Sequence, residues 1–341
     1  MRYSLCVGLF LIGSIGVILG YAKDDSVVED TKALETPPVD ESEALSFLNK
    51  KMDKYDKLLN LFWKNIGDQQ TWNAALTFKY KKTDEEKFVN VESDIDTYID
   101  LNKLKAMFRV SSDLGHLKAY AGEEKSLLLS RDTQSFCLED TPIKNLAQKM
   151  NAMKTDKKNW DEQLKQAKEL LLSQLGIQNV KLEKNPQKFA EVSCDALRFS
   201  RGKDVNYTLY FSRESGYLHG ITLDSNIHVH ITVLSNAAGY PTKFTGKISR
   251  TDEGEGIFSI ELEGTATWKE GKFIDASMLI KVNYMESFDI EMKIDVSLDD
   301  VTPLRENVFE PRFNKEDYQL KSFIDFRDSL FDHVWQNVQK K

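Results

Sequence analysis

The chain has 341 residues, 41% hydrophobic and 11% aromatic, which is enough for a core and excludes global disorder. Its 46 basic and 54 acidic residues give a net charge of -8. An acidic balance without a basic block argues against nucleic acid as a partner and, more weakly, against adsorption to an anionic membrane surface.

The first residues, "MRYSLCVGLFLIGSIGVILGYAKDD", have the parts of a secretion signal. Arg2 is the positive start, Leu5 to Leu19 the apolar run, and Gly20-Tyr21-Ala22 a small-x-small cleavage site. The run falls short of the ~20 apolar residues of a spanning helix. Cleavage after Ala22 is therefore expected over a retained anchor, with residues 1–22 as signal peptide and the product in the periplasm or secreted. Residues 23–39 are polar, acidic and end in Pro37-Pro38, the pattern of a flexible leader. Residues 40–341 are read as a single large domain.

Behind Asp40 and Glu43, spaced as a capping box, Leu45, Leu48, Met52, Tyr55, Leu59, Phe62 and Ile66 form one apolar stripe. That spacing predicts an amphipathic helix. The period then changes: in "TWNAALTFKYKK" every even residue from Trp72 to Tyr80 is apolar, which predicts a strand with one buried face. Further strands are predicted near 87–100, 103–111, 116–121, 125–131 and 133–138, with connections too short for crossover helices. A helical interlude is expected at 141–176, where Gly176 closes a stripe containing Trp160, Leu164, Leu171 and Leu175. Strands resume at about 189–200, 204–213, 217–224 and 227–235. The extra strands from 242 to 299 keep apolar residues on one parity and charges on the other. No linker-like stretch precedes them, so they are expected to extend the same sheet. A second amphipathic helix is predicted at 315–339, with Leu320, Phe323, Ile324, Phe331, Val334, Trp335 and Val338.

A large antiparallel sheet with one apolar face must cover it. The expected class is α+β, mainly β: a curved antiparallel sheet, or half-open barrel, wrapped around helices, with amphipathic helices at both ends. An interior of that size can exceed what its own side chains fill.

Catalytic chemistry finds little support. No nucleophile elbow, dinucleotide fingerprint or P-loop occurs. His228 and His230 share a strand face, but no carboxylate or thiol stands at ligand spacing, so they are read as solvent-facing residues and no metal or cofactor is expected. Glu261 and Glu263 fit an exposed strand face. The expectation is a non-enzyme, with an unrecognised hydrolase as the distant alternative. Without the signal two cysteines remain, Cys137 and Cys194. An exported even pair permits a disulfide, and two buried free thiols are the other reading. What remains is the apolar face. Trp72, Leu76, Phe78, Tyr80, Phe108, Val110, Tyr207, Leu209 and Phe211 either line a cavity or form ordinary core under the helices.

Three stretches bear on that choice. "LKAMFRVSSDLGHLKAYAGEEKSLLLSRDTQSFC" (104–137) has an aromatic-basic strand pair, Phe108-Arg109, then a turn and a short hairpin. "EVSCDALRFSRGKDVNYTLYFSRESGYLHGITL" (191–223) has a G-x-x-C-x-x-L-like strand before an aromatic strand and its return. "VSLDDVTPLRENVFEPRF" (296–313) ends the series. In this order they resemble the outer-membrane lipoprotein carrier (LolA-like) superfamily, above all its uncharacterised predicted periplasmic branch. The turn Arg213-Glu214-Ser215-Gly216 and the absence of Pro at His219 depart from the family pattern. The resemblance implies a hydrophobic concavity that binds a lipid, an acyl chain or a lipoprotein, and transient membrane-associated partners. It places Arg109 at a ligand head group or helix lid. The alternative is an envelope structural or interaction module whose concavity is filled by its own helices.

Overall fold

The computed structural model describes residues 40–82, 87–121, 126–139, 148, 179–183, 185–201, 205–252, 255–284 and 288–340. The predicted signal and leader, and nearly all of the predicted helical interlude, lie outside the described residues.

The first helix, α1, spans Asp40–Asn65, as its stripe predicts. Two antiparallel meanders follow. The first comprises β1 (Gln69–Lys82), β2 (Val89–Asp100), β3 (Lys105–Ser112), β4 (Gly115–Tyr120), β5 (Ser126–Ser130) and β6 (Ser135–Glu139). The second opens with two short strands, β7 (Asn179–Leu182) and β8 (Gln187–Phe189), both paired with β9 (Val192–Arg201). It continues through β10 (Val205–Ser212), β11 (Leu218–Asp224), β12 (Ile227–Ser235), β13 (Pro241–Asp252), β14 (Glu255–Lys269), β15 (Lys272–Tyr284) and β16 (Phe288–Asp299).

β1 joins the two meanders. It pairs antiparallel with β2 on one side and with β16 on the other, Thr71 lying opposite Asp299. All 17 strands thus form one sheet, running from β7 and β8 through β9–β16, β1 and β2–β6. Strands 242–299 belong to this sheet. Among the described residues its outer edges do not pair, so the curved sheet stays open.

Local chemistry explains several joints. Glu270 and Gly271 both have positive φ (51° and 78°) in the two-residue turn between β14 and β15, where the mirror-image turn suits strand twist. Ala190 and Glu191 do the same between β8 and β9 (44° and 65°), a costly conformation for side chains with a Cβ. Neither β7 nor β8 is predicted from the sequence; for β8 the reason is that this turn lacks the usual Gly or Asn.

The C-terminal segment differs from the expected helix at 315–339. Lys315–Asp317 is a 3-10 turn, and Gln319–Leu320 forms β17, parallel to β6. The helix α2 spans Phe323–Lys340. Ser322 sets its start: its Oγ accepts from the Asp325 amide at 3.2 Å and donates to the Asp325 carboxylate at 2.6 Å, a reciprocal cap.

The two faces are covered differently. α1 lies on the apolar face. Ala44 and Leu48 pack against β9–β13, and Phe62 and Ile66 against Ile99, Phe273 and Leu298. The C-terminal segment covers the other face of β3–β6, where Val308, Phe309, Phe313 and Tyr318 meet Met107, Tyr120, Leu127 and Phe136.

Candidate functional site

Residues paired across antiparallel strands point to the same side, so the register shows which side chains share a face. Leu76 lies between Ile294 and Ser93, Phe78 between Met292 and Val91, and Tyr80 between Ile290 and Val89. Trp72 pairs with Leu298 and Thr97; Thr97 in turn faces Phe108, and Ile95 faces Val110. On the other flank Tyr207 lies between Phe199 and Leu223, and Leu209 between Leu197 and Ile221. Through β11–β15 the same face continues with Ile231, Ile248, Ile260 and Val282. The apolar residues of the sequence pattern therefore stand on a single face.

α1 covers only part of it. The helix lies along the rim made by the β10–β11 and β14–β15 turns and is fastened there by polar groups. Lys54 Nζ donates to the Ser215 carbonyl at 2.6 Å, and Lys51 Nζ to the Gly216 carbonyl at 3.1 Å. The Leu218 amide donates to Tyr55 Oη at 2.6 Å, and Asn65 reaches the Glu270 carbonyl at 3.4 Å. Burial pushes the Tyr55 hydroxyl up to about 12, and desolvation lowers the Lys51 ammonium. Phe47 meets Phe211 edge-on at 5.6 Å, and Phe62 meets Trp268 at 6.0 Å.

The candidate residues fall into three groups. Tyr207 and Phe211 are buried in the core beneath the first half of α1, with Leu209 packed against them. Trp72 packs beneath its second half, stacked on Phe273 at 5.9 Å. Leu76, Phe78, Tyr80, Phe108 and Val110 lie in the part of the face away from α1. They are only half-buried and belong to none of the described core clusters. Beyond them Tyr284 and Phe288 extend the same face to the far rim, 43% and 38% exposed.

Arg109 stands elsewhere. Successive residues of a strand point to opposite faces, so it cannot share Phe108's side of the sheet. On the outer face its Nε donates to Asp96 at 2.7 Å, and this bond holds the guanidinium pKa above its usual range. It heads a row of cross-strand ion pairs on that face, including Lys79–Glu291 at 2.9 Å, Lys243–Glu263 at 3.7 Å and Lys247–Glu261 at 3.9 Å. A shallow hollow of about 560 Å³ opens on this outer side near Asn73, Ala75, Asp94, Asp96, Arg109 and Asp295.

Cys137 and Cys194 are free, buried thiols on β6 and β9, so the pair permitted by the sequence forms no disulfide. Burial pushes the Cys137 thiol up to about 11 and raises that of Cys194. His228 and His230 are exposed, whereas His219 is buried at the bulged start of β11. Sequence reasoning missed the aromatic stack beside them. Phe189 of β8 lies between Tyr210 at 4.4 Å and His230 at 4.8 Å, over Gly220, where a Cβ would stand 2.0 Å from its ring. This stack holds the β8–β9 hairpin against the sheet. Gly220, in an otherwise apolar strand, is its only sequence trace.

Among the described residues the fold is mainly β: an open, curved antiparallel sheet with the amphipathic helix α1 on part of its apolar face. No protein-family model and no curated protein matches the chain. Solved structures are similar to it at low identity. A DUF1329 family protein from Desulfovibrio piger is 8% identical, with 76% of this chain and 97% of that one covered and a TM-score of 0.29. An uncharacterized conserved protein from Thermus thermophilus is 12% identical, with 78% and 99% covered and a TM-score of 0.24. MucB in complex with MucA(peri) is 7% identical, with 75% and 94% covered and a TM-score of 0.18. Likenesses this loose establish neither a common fold nor a common function.

Proposed function

We infer that this chain is an exported envelope protein that binds an apolar ligand, a lipid, an acyl chain or the acylated end of a lipoprotein, on the part of its apolar face that α1 leaves open. One observation carries the reading: Leu76, Phe78, Tyr80, Phe108 and Val110 share a face with the core yet remain half-buried. A contiguous, half-buried apolar surface of this kind supports a binding site there. Burial of an acyl chain there would release ~0.8 kcal/mol per CH₂, so no catalytic group is required. Arg109, on the outer face, takes no part in this ligand contact. The secretion signal read at residues 1–22 and the order of motifs shared with the lipoprotein carriers support the envelope assignment.

The test is native mass spectrometry of protein purified from its own envelope, joined to titration with a fluorescent fatty acid. The expected result is a co-purifying lipid and saturable probe binding that a Phe78→Glu substitution weakens by ~10-fold or more. Absence of both lipid and probe binding overturns the reading in favour of a structural module filled by its own helices.

A further inference from the structure

The apolar stripe that the sequence shows along α2 points outward. Ile324, Phe331 and Trp335 are 60%, 69% and 62% exposed, and Leu320 just upstream is 65% exposed. The opposite side of the helix holds it to the domain. Phe326 is buried there, and Asn337 Nδ2 donates to the Leu114 carbonyl at 3.1 Å and contacts His333 Nε2 at 2.9 Å. A helix attached by one face with large aromatics on the other has an unfilled partner position.

The spacing identifies the partner. Ile324, Asp328, Phe331, Trp335 and Val338 recur at alternating intervals of four and three residues, the seam of a two-helix coil. In that frame Arg327 and Asp332 occupy the two flanking positions, five residues apart. Between parallel helices related by a two-fold axis, each Arg327 meets the other copy's Asp332. Between antiparallel helices each would meet its own kind, so charge favours the parallel pairing. A bilayer is a poorer occupant. Asp328 lies within the stripe, Asp325 and Asp332 flank it, and the whole chain carries -8, all unfavourable at a lipid surface. In the parallel seam the two Asp328 carboxylates face each other, and Arg327 of the same helix, 2.7 Å from Asp328, offsets that repulsion. Phe331 and Trp335, about two-thirds exposed, together with Ile324 offer roughly 400 Å² per copy and roughly 800 Å² per pair, the size of a weak, reversible interface.

We propose that α2 is a homodimerisation element that pairs in parallel with α2 of a second copy of this chain. The site lies on the covered outer side of β6, apart from the apolar face of β1–β3, and is independent of ligand binding. Sedimentation velocity over a concentration series tests it, with circular dichroism confirming that each variant is folded. The expected result is a reversible dimer with Kd of ~10 µM, weakened at least ~10-fold in Phe331→Ser/Trp335→Ser, as loss of central aromatic anchors requires. Asp332→Arg should weaken it by setting a second guanidinium against Arg327 of the other copy, and Asp328→Asn, which removes the like charge from the seam, should strengthen it. A monomer throughout the series, a dimer indifferent to the aromatic substitutions, or a dimer weakened by Asp328→Asn overturns the proposal. So does a monomer whose Phe331 and Trp335 drive flotation with phosphatidylglycerol vesicles, which assigns the stripe to a membrane.

Discussion

Cys137 and Cys194 show how far single positions respond to their surroundings. Each is buried, and burial raises each thiol because the thiolate would lose its hydration. The thiolate is the reactive species, so both should be silent towards an aromatic disulfide reagent at pH ~8 in the native protein and react together once denaturant is added. Rapid labelling of either thiol in the folded chain would contradict their burial. The contrast between Phe108 and Arg109 belongs to the same scale. The motif presents them as one aromatic-basic unit, but the strand pleat sends them to opposite faces, where Phe108 joins the half-buried apolar set and Arg109 an ion pair with Asp96. Strand periodicity makes this legible in the sequence. The stack of Phe189 on Tyr210 and His230 is not, since it joins residues from three strands through a turn without Gly or Asn.

At the scale of elements, α1 carries much of the packing on the apolar face. Phe62 is 4% exposed among Ile99, Leu101, Phe273 and Trp268, so Phe62→Ala should cost about 3–5 kcal/mol in a denaturant titration, the usual range for a buried phenylalanine. A loss below about 1 kcal/mol would mean that the helix end is not seated against this cluster. α1 and the long strands are readable because each has an unbroken period of its own, 3.6 or 2. α2 is readable as a helix, but its orientation is not. Two apolar strips run along it, and periodicity cannot tell which one meets the domain. Phe326, which is buried, and Asn337 and His333, which lie against Leu114 and Gly115 of the β3–β4 turn, decide that.

For the molecule as a whole, the decisive element is β1. It closes the gap between β16 and β2, pairing Thr71 with both Asp299 and Tyr98. Without it the sheet becomes two open halves, each with a long unpaired edge. A chain lacking residues 69–82 is therefore expected to lose cooperative unfolding and to aggregate, as followed by thermal circular dichroism and light scattering. One ending before Phe323 should keep a cooperative transition. Loss of the transition in both, or in neither, would place the keystone elsewhere.

The sequence by itself determined the long strands, the parity of their apolar residues, the first helix and the absence of recognisable catalytic motifs. These are local consequences of periodicity and turn chemistry, which act over a few residues. Only the tertiary structure decided that the first strand pairs with the sixteenth, that α1 packs on part of the apolar face, that the cysteines stay apart and that the aromatic stripe of α2 faces outward. Each depends on contacts between residues far apart in the chain, and no local pattern encodes where such residues meet.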